Sequence, residues 1–323
     1  MDPSKYRTLT VSRGFAYNVY YAPAAAGQPT LLLLHGFPST SYDWHRQVFF
    51  FAARGVGVVA PDLLGAGATS KPADPLAFRQ SAMAHDVVEL LDALGLHKIV
   101  GIGHDWGSVL LSRLSMLHQD RFLGFAWLGL GFLPVVISRA EDVPDKPSAG
   151  PTVPAYWEFF TRKDAGEVIR QNADSFLQLL YPQDPACWAT WILTKGKTAE
   201  LIENGILLGC PGWLSDEEYG QLKQNIETHG VASSLLWYTC EQNGGNLEDS
   251  TRIPTDAVDI KVPALFVGTS KDIVSVESLS LPLMQKYATN LQTASLPAGH
   301  WVQVECADEL NSILEKWLTT ISL

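Results

Sequence analysis

The chain has 323 residues, of which 46% are apolar, 10% aromatic and 18% charged. Its length exceeds the usual single-domain range of roughly 100 to 200 residues, which predicts either two domains or one large core with an insertion. The composition excludes a disordered chain, which would be poor in apolar residues and rich in charge. The sequence therefore predicts a folded globular protein.

The balance of charges narrows the choice of partners. Acidic residues outnumber basic ones by 34 to 23, which gives a formal net charge of -11. A negative surface repels phosphate backbones and anionic lipids, so we expect no nucleic-acid partner and no binding to a membrane surface. The apolar stretch 122–137 is too short and too often interrupted by glycine and proline to span a bilayer, and residues 1–10 lack the features of a secretory signal. A cytoplasmic location is expected, and a homodimer stays open as an alternative to a monomer.

Metal and cofactor signatures are absent from the sequence. There is no glycine-rich phosphate loop, and no pair of histidines has the spacing of zinc ligands. The cysteines are widely separated, so we expect them to be reduced packing residues. They are Cys187, Cys210, Cys240 and Cys306. The sequence therefore predicts a protein without a cofactor.

Strand and helix patterns alternate along most of the chain, beginning with a predicted hairpin around Gly14. The predicted strands lie at 8–12, 15–21, 30–34, 56–60, 98–102, 122–128, 262–268 and 291–296. The predicted helices between and after them lie at 81–94, 108–118 and about 308–318. This alternation predicts an α/β fold with a mostly parallel, doubly wound sheet.

The alternation is interrupted in the middle of the chain. Five prolines between 134 and 154 predict a long loop, and helix-like, aromatic-rich sequence continues to about residue 246. We therefore predict a core formed by 1–133 and 247–323, with 134–246 inserted as a helical lid.

The segment 103–107, Gly-His-Asp-Trp-Gly, joins a predicted strand to a predicted helix. Its two glycines allow the sharp turn of a nucleophile elbow, which exposes the central side chain at the carboxyl end of the strand. An aspartate that only capped the helix would need neither glycine. We therefore predict that Asp105 is a nucleophile. A carboxylate nucleophile displaces a leaving group at a saturated carbon and forms an ester that must then be hydrolysed.

Two further residues follow strands and complete the order nucleophile, acid, base. Asp272 comes after the predicted strand 262–268, and His300 comes after 291–296. We predict that His300 activates water for ester hydrolysis and that Asp272 orients its imidazole. Three other acids stay open as alternatives to Asp272: Asp249, Asp256 and Asp259.

The segment 35–38, His-Gly-Phe-Pro, follows the central strand 30–34. A loop at this position can place the backbone N–H of Phe37 beside that of Trp106. We predict that these two donors form an oxyanion hole for the ester of Asp105.

Taken together, the segments 35–38 and 103–107 with Asp272 and His300 resemble the α/β-hydrolase-fold epoxide hydrolases, over nearly the whole chain. The resemblance implies the α/β-hydrolase fold with an inserted helical cap. It also implies that the protein opens an organic epoxide to a vicinal diol through an aspartyl-ester intermediate. The implied partners are the small-molecule epoxide and water.

In that family two lid tyrosines hydrogen-bond the epoxide oxygen and supply its proton. The first lies in a Tyr-x-x-aromatic-Phe segment, which Tyr156 and the residues up to Phe160 match, and the second follows a tryptophan, as Tyr238 follows Trp237. The resemblance therefore implies that Tyr156 and Tyr238 are acids. Thr161 and Thr239 stand where the family often has Gln and Arg, a departure that concerns substrate preference more than reaction type.

Aromatic residues are abundant in the predicted lid, which favours an apolar or aromatic substrate. We expect substrate contacts from Phe37, Trp106, Trp157 and Trp237, and packing from most other lid rings. Two alternatives stay open. A haloalkane dehalogenase would use the same nucleophile but needs no acid, because halide leaves without a proton. A non-catalytic ligand-binding homologue would keep the fold without turnover.

Overall fold

A computed structural model of the protein describes residues 1–134, 154–251 and 253–322. Within them lies one eight-stranded sheet with the strand order β1-β2-β4-β3-β5-β6-β7-β8. The strands are β1 (Tyr6–Thr10), β2 (Ala16–Ala22), β3 (Thr30–Leu34), β4 (Gly57–Pro61), β5 (Ile99–His104), β6 (Phe122–Leu128), β7 (Ala264–Thr269) and β8 (Leu291–Leu296). The pairs β1–β2 and β2–β4 are antiparallel, and all other pairs are parallel. The predicted mostly parallel sheet is therefore confirmed.

Helices cover both faces of the sheet, which explains why its central strands are continuously apolar. The core helices are α1 (His45–Ala52), α2 (Gln80–Ala93), α3 (Trp106–Leu117), α12 (Glu277–Tyr287), α13 (Val302–Glu305) and α14 (Ala307–Leu318). Alternate side chains of β3 enter different cores: Leu32 and Leu34 pack with α2 and α3, whereas Leu31 and Leu33 pack with α1 and α14. Burial on both faces fixes the register of β3 at the centre of the sheet.

The segment between β6 and β7 is helical where it is described. Its helices are α4 (Trp157–Phe160), α5 (Ala165–Gln171), α6 (Ala173–Leu180), α7 (Trp188–Trp191), α8 (Lys197–Glu203), α9 (Asp216–His229), α10 (Leu236–Gln242) and α11 (Gly245–Ser250). Residues 135–153, which include three of the prolines used to predict a long loop, lie outside the described residues. Helix α11 extends across residue 246, the predicted end of the lid.

The expectation for the cysteines needs one correction. All four are free, and Cys240 is buried as expected, but Cys210 is exposed and is not a packing residue. No helix in the described parts of the chain is both long and apolar enough to cross a membrane.

An ion-pair cluster joins the helical insertion to the core. The guanidinium of Arg46 in α1 donates to Glu218 in α9, with 2.7 Å between Nη2 and Oε1, and Nε2 of His45 lies 2.8 Å from the same oxygen. Arg46 also donates to the backbone oxygens of Trp213 and Val304. Burial raises the pKa of Glu218, but hydrogen bonds from Ser215 and Arg46 outweigh that effect and lower the pKa to about 2. Glu218 is therefore ionised at neutral pH.

We expect Glu218→Gln to lower the free energy of unfolding by about 2 kcal/mol at neutral pH, because Arg46 loses its charged acceptor. The pKa of Glu218 is about 2 in the folded protein, below its ordinary value of 4.5. Its contribution to stability is therefore present above the ordinary value and is lost as the pH falls towards the folded-state value. Urea unfolding at neutral pH and at a pH between the two values measures both effects.

The matched control is Glu217→Gln, which neutralises an exposed neighbour in the same helical turn. It should change the free energy of unfolding by less than about 0.5 kcal/mol. Equal effects of the two substitutions at neutral pH would contradict a specific role for the cluster.

Candidate functional site

The backbone at Asp105 forms a strained bend between β5 and α3. Asp105 has φ 53° and ψ -124°, and it is the one non-glycine residue with a positive φ in the described part of the chain. A Cβ atom at Gly103 would lie 2.5 Å from the backbone oxygen of Gly107, and one at Gly107 would overlap the backbone oxygen of Leu34. Only glycine fits at both positions. The bend therefore directs the carboxylate away from the sheet at the carboxyl end of β5.

Backbone donors converge on this carboxylate. The N–H of Phe37 donates to Oδ1 of Asp105 at 2.9 Å. The loop can come this close because residue 36 is glycine, since a Cβ there would overlap the Asp105 side chain. Burial raises the pKa of Asp105, and the charge of His300 with hydrogen bonds from the N–H groups of Phe37 and Trp106 offsets part of that rise. The two predicted oxyanion donors thus both act on Asp105.

His300 and Asp272 form a buried pair next to Asp105. Nδ1 of His300 lies 2.7 Å from Oδ2 of Asp272, and its Nε2 lies 3.7 Å from Oδ2 of Asp105. Because an ionised carboxylate only accepts, Nδ1 carries the proton and Nε2 faces Asp105. The other oxygen of Asp272 accepts from the N–H groups of Val274 and Ser275. The structure therefore brings the predicted nucleophile, base and acid together.

The two members of the pair shift each other's pKa in opposite directions. Burial raises the pKa of Asp272, but the charge and the hydrogen bond of His300 outweigh it and lower the pKa to about 2. Burial lowers the pKa of His300, but the charges of Asp272, Asp105 and Asp43 outweigh it and raise the pKa above its usual value. Asp272 is therefore ionised, and it stabilises the protonated imidazole.

Of the three alternatives to Asp272, the structure describes the side chain of one. Asp259 is exposed to solvent. The side chains of Asp249 and Asp256 lie outside the described part of the structure.

His104 also belongs to this arrangement, although it was not predicted from the sequence. Its Nε2 donates to the backbone oxygen of His300 at 2.8 Å, and its Nδ1 lies 3.3 Å from the side-chain amide of Gln303. Burial lowers the pKa of His104 to about 3, so the ring is neutral. His104 therefore holds the backbone that carries His300. Its position inside the elbow segment was the one sequence signal that could have pointed to it.

Tyr156 and Tyr238 face the carboxylate from the helical insertion. Tyr156 precedes α4, Tyr238 lies in α10, and the centres of their rings are 6.1 Å apart. Burial, together with the charge of Asp105, raises the pKa of both phenols. Both are therefore neutral at physiological pH and keep a proton to donate.

A cavity of about 30 Å³ lies between these groups and has room for about two water molecules. It is lined by Phe37, Asp105, Tyr156, Tyr238 and His300, with Phe160, Leu180, Trp188, Ile192, Val274 and Trp301 as the other walls. A second cavity of about 250 Å³ adjoins it and shares the walls formed by Leu180, Trp188, His300 and Trp301. Asp272 lines the second cavity.

Of the four residues expected to contact substrate, Phe37 lines the smaller cavity and the three tryptophans do not. The rings of Trp106 and Trp157 each pack edge to face on Tyr238, with ring centres 5.1 Å apart. Trp237 is buried and donates its indole N–H to the backbone oxygen of Leu64. The rings of Trp106 and Trp157 therefore support Tyr238. No group of three or more metal-binding side chains occurs among the described residues.

Comparison with known proteins places this geometry in a family. The family model described as the alpha/beta hydrolase fold matches residues 29–306. The chain is 27% identical to epoxide hydrolase A of Mycobacterium tuberculosis, with 92% of each protein covered. It is 29% identical to bifunctional epoxide hydrolase 2 of Rattus norvegicus over 97% of this chain and 55% of that protein, so it spans about half of that relative.

A solved structure gives the same result. An epoxide hydrolase from an endophytic Streptomyces superposes with a TM-score of 0.81 at 25% identity, covering 97% of this chain and 95% of that one. The predicted resemblance to epoxide hydrolases is therefore confirmed. The family model covers most of the chain, and the chain therefore belongs to the α/β-hydrolase fold family.

Proposed function

We propose that the protein is an epoxide hydrolase that converts an organic epoxide to a vicinal diol through an ester on Asp105. One observation carries the proposal: the largely buried carboxylate of Asp105 shares one cavity with His300 and two neutral phenols, and Asp272 holds His300 from behind. The proposal is also supported by relatives that are named epoxide hydrolases and match nearly all of the chain.

In the first step, an oxygen of Asp105 attacks a ring carbon and the carbon–oxygen bond of the epoxide breaks. The oxygen leaves as an alkoxide, which is a poor leaving group unless it is protonated. Tyr156 or Tyr238 supplies that proton. The raised pKa of both phenols supports this role, because each phenol is protonated before the reaction begins.

In the second step, His300 takes a proton from water while the water oxygen attacks the ester carbonyl of Asp105. The N–H groups of Phe37 and Trp106 stabilise the resulting oxyanion. When the intermediate collapses, His300 returns the proton to the departing alkoxide, and the diol leaves. The second proton of the attacking water returns to the tyrosine that protonated the epoxide oxygen, so Asp105 is an ionised carboxylate again and carries one oxygen from water.

We propose an apolar, aromatic or aliphatic epoxide as the substrate, because the cavity walls outside the reacting groups are rings and aliphatic side chains. The cavity of about 30 Å³ is too small for such a molecule. Substrate binding therefore requires the walls shared with the larger cavity, or the insertion as a whole, to move. We accordingly propose 134–246 as a lid over a core formed by 1–133 and 247–323. The cytoplasmic location stays a prediction from the sequence.

We expect His300→Gln to trap the ester. Incubation with styrene oxide should add the mass of the epoxide to the protein, and proteolysis should place it on the peptide containing Asp105. The reason is that hydrolysis, and not ester formation, needs the histidine. The double variant His300→Gln, Asp105→Ala is the control and should gain no mass.

A single turnover of the wild-type protein in heavy-oxygen water gives an independent check, since direct attack of water would place solvent oxygen in the first diol.

We expect the double substitution Tyr156→Phe, Tyr238→Phe to slow ester formation from epoxides by roughly a hundredfold or more, because the alkoxide loses its proton donors. Rapid-quench mass spectrometry measures this step. Tyr219→Phe, which removes a lid hydroxyl bonded to Asp174, is the matched control and should behave as wild type. If the double variant releases bromide from a bromoalkane as fast as the wild-type protein does, a dehalogenase explains the site better.

We expect Asp272→Asn to slow ester hydrolysis by about a hundredfold or more, since the protonated imidazole loses its ionised partner. The rate needs neutral His300 and so falls with decreasing pH through the raised pKa of that group. Without the charge of Asp272 that pKa drops, so the acidic limb should move to lower pH. The pH dependence of single-turnover hydrolysis measures both effects. Asp259→Asn should leave the profile unchanged, and the reverse pattern would identify Asp259 as the orienting acid.

A further inference from the structure

Asp43 is a buried carboxylate that the reaction described above does not use. It lies in the short 3-10 turn Ser41–Trp44, which follows the loop of Phe37, and only 3% of the residue is exposed. No Lys or Arg of the described residues forms an ion pair with it. Burying a carboxylate without a cationic partner is unfavourable, so such a group needs another explanation.

The first contact of Asp43 is with the loop that presents the Phe37 donor. The hydroxyl of Ser39, which is also buried, donates to Oδ2 of Asp43. The backbone N–H of Ser39 in turn donates to the oxygen of Gly36 at 3.1 Å, which closes the turn containing Phe37. Asp43 therefore anchors this turn through Ser39.

Asp43 also interacts electrostatically with His300. Its negative charge favours protonation of His300, and the charge of His300 favours ionisation of Asp43. Tyr181 connects the surroundings of the two groups: burial and the charge of Asp43 raise the pKa of its phenol, and its ring stacks on Trp301, the residue after His300, with ring centres 4.4 Å apart. Ser39 and His300 are the side chains that influence the ionisation of Asp43 in the described structure, besides burial itself.

Burial raises the pKa of Asp43 to about 7, although Ser39 and His300 oppose the rise. Its charge therefore changes over the pH range in which His300 would act as a base. Below that range Asp43 is neutral. Above it Asp43 is ionised and acts on the imidazole in addition to Asp272.

We propose that Asp43 is a positioning residue for ester hydrolysis: it anchors the turn that presents the Phe37 N–H, and its carboxylate stabilises His300 in the protonated form. This inference rests on the proposed function. In the hydrolytic step one proton passes from water to Nε2 of His300 and later to the departing alkoxide, and Asp43 does not receive it. Ester formation does not protonate His300, so that step depends on Asp43 much less.

Two substitutions separate the two contributions. Asp43→Asn keeps an oxygen that can accept from Ser39 but removes the charge. Ser39→Ala removes the anchor but keeps the carboxylate. Rates of ester formation and ester hydrolysis are measured separately by rapid-quench mass spectrometry with styrene oxide, over a pH range centred near neutrality.

With Asp43→Asn, hydrolysis should be slower by roughly three- to tenfold at alkaline pH and should approach the wild-type rate at acidic pH, where Asp43 is neutral in both proteins. Ester formation should change by less than about twofold. With Ser39→Ala, hydrolysis should slow at every pH. The rate of hydrolysis should still increase with pH, but the increase should occur at higher pH. The reason is that the hydrogen bond from Ser39, which lowers the pKa of Asp43, is missing in this variant.

Asp86→Asn is the matched control, since Asp86 is equally buried and burial also raises its pKa, to about 6, but its partners are Tyr17 and Arg13. It should not alter the pH dependence of hydrolysis. The inference is wrong if Asp43→Asn slows ester hydrolysis equally at every pH, or does not slow it at all. In either case, ester formation by the wild-type protein would still support the proposed function. If the wild-type protein forms no ester on Asp105, the proposed function itself fails. Thermal unfolding of each variant identifies loss of folding, in which case Ser39→Ala carries the test.

Discussion

The site depends on keeping a charged carboxylate reactive where water is largely excluded. Burial raises the pKa of Asp105, so the protein must supply enough positive charge and enough donors to keep the group ionised. It does so with backbone N–H groups, whose geometry is set by the bend at Asp105 and by glycine at position 36. Such donors cannot be lost by titration, and they do not need to reorganise during a reaction.

Burial also disfavours the charged form of His300, and the carboxylates around it offset that effect. A buried imidazole ordinarily resists protonation, yet three carboxylates act on it in this protein. Asp272 does so through direct contact, Asp105 across 3.7 Å, and Asp43 through its charge. In the proposed mechanism the ester removes the charge of Asp105, so Asp272 and Asp43 alone would support the base during hydrolysis. Such a two-step reaction would need acids that its first step leaves unchanged.

The sequence predicted the parts of the structure that local rules control. The central strands were found because they are apolar on both faces, and the elbow because its glycines admit few other interpretations. Helix α12 was not predicted, since Pro282 lies inside it and proline normally argues against a helix interior. The lining of the cavity could not be predicted either. Trp157 and Trp188 both lie in the aromatic-rich insertion, and only tertiary packing places Trp188 in the cavity wall and Trp157 against Tyr238.

One guanidinium connects the insertion to the segment that follows His300. Arg46 binds Glu218 and the backbone of Trp213 on one side, and the backbone of Val304, four residues after His300, on the other. If the insertion moves to admit a substrate, this residue has to release one set of acceptors or move with them. A displacement of the insertion would therefore also act on α13, the helix that begins two residues after His300, so widening of the cavity and a shift of this helix would be coupled movements.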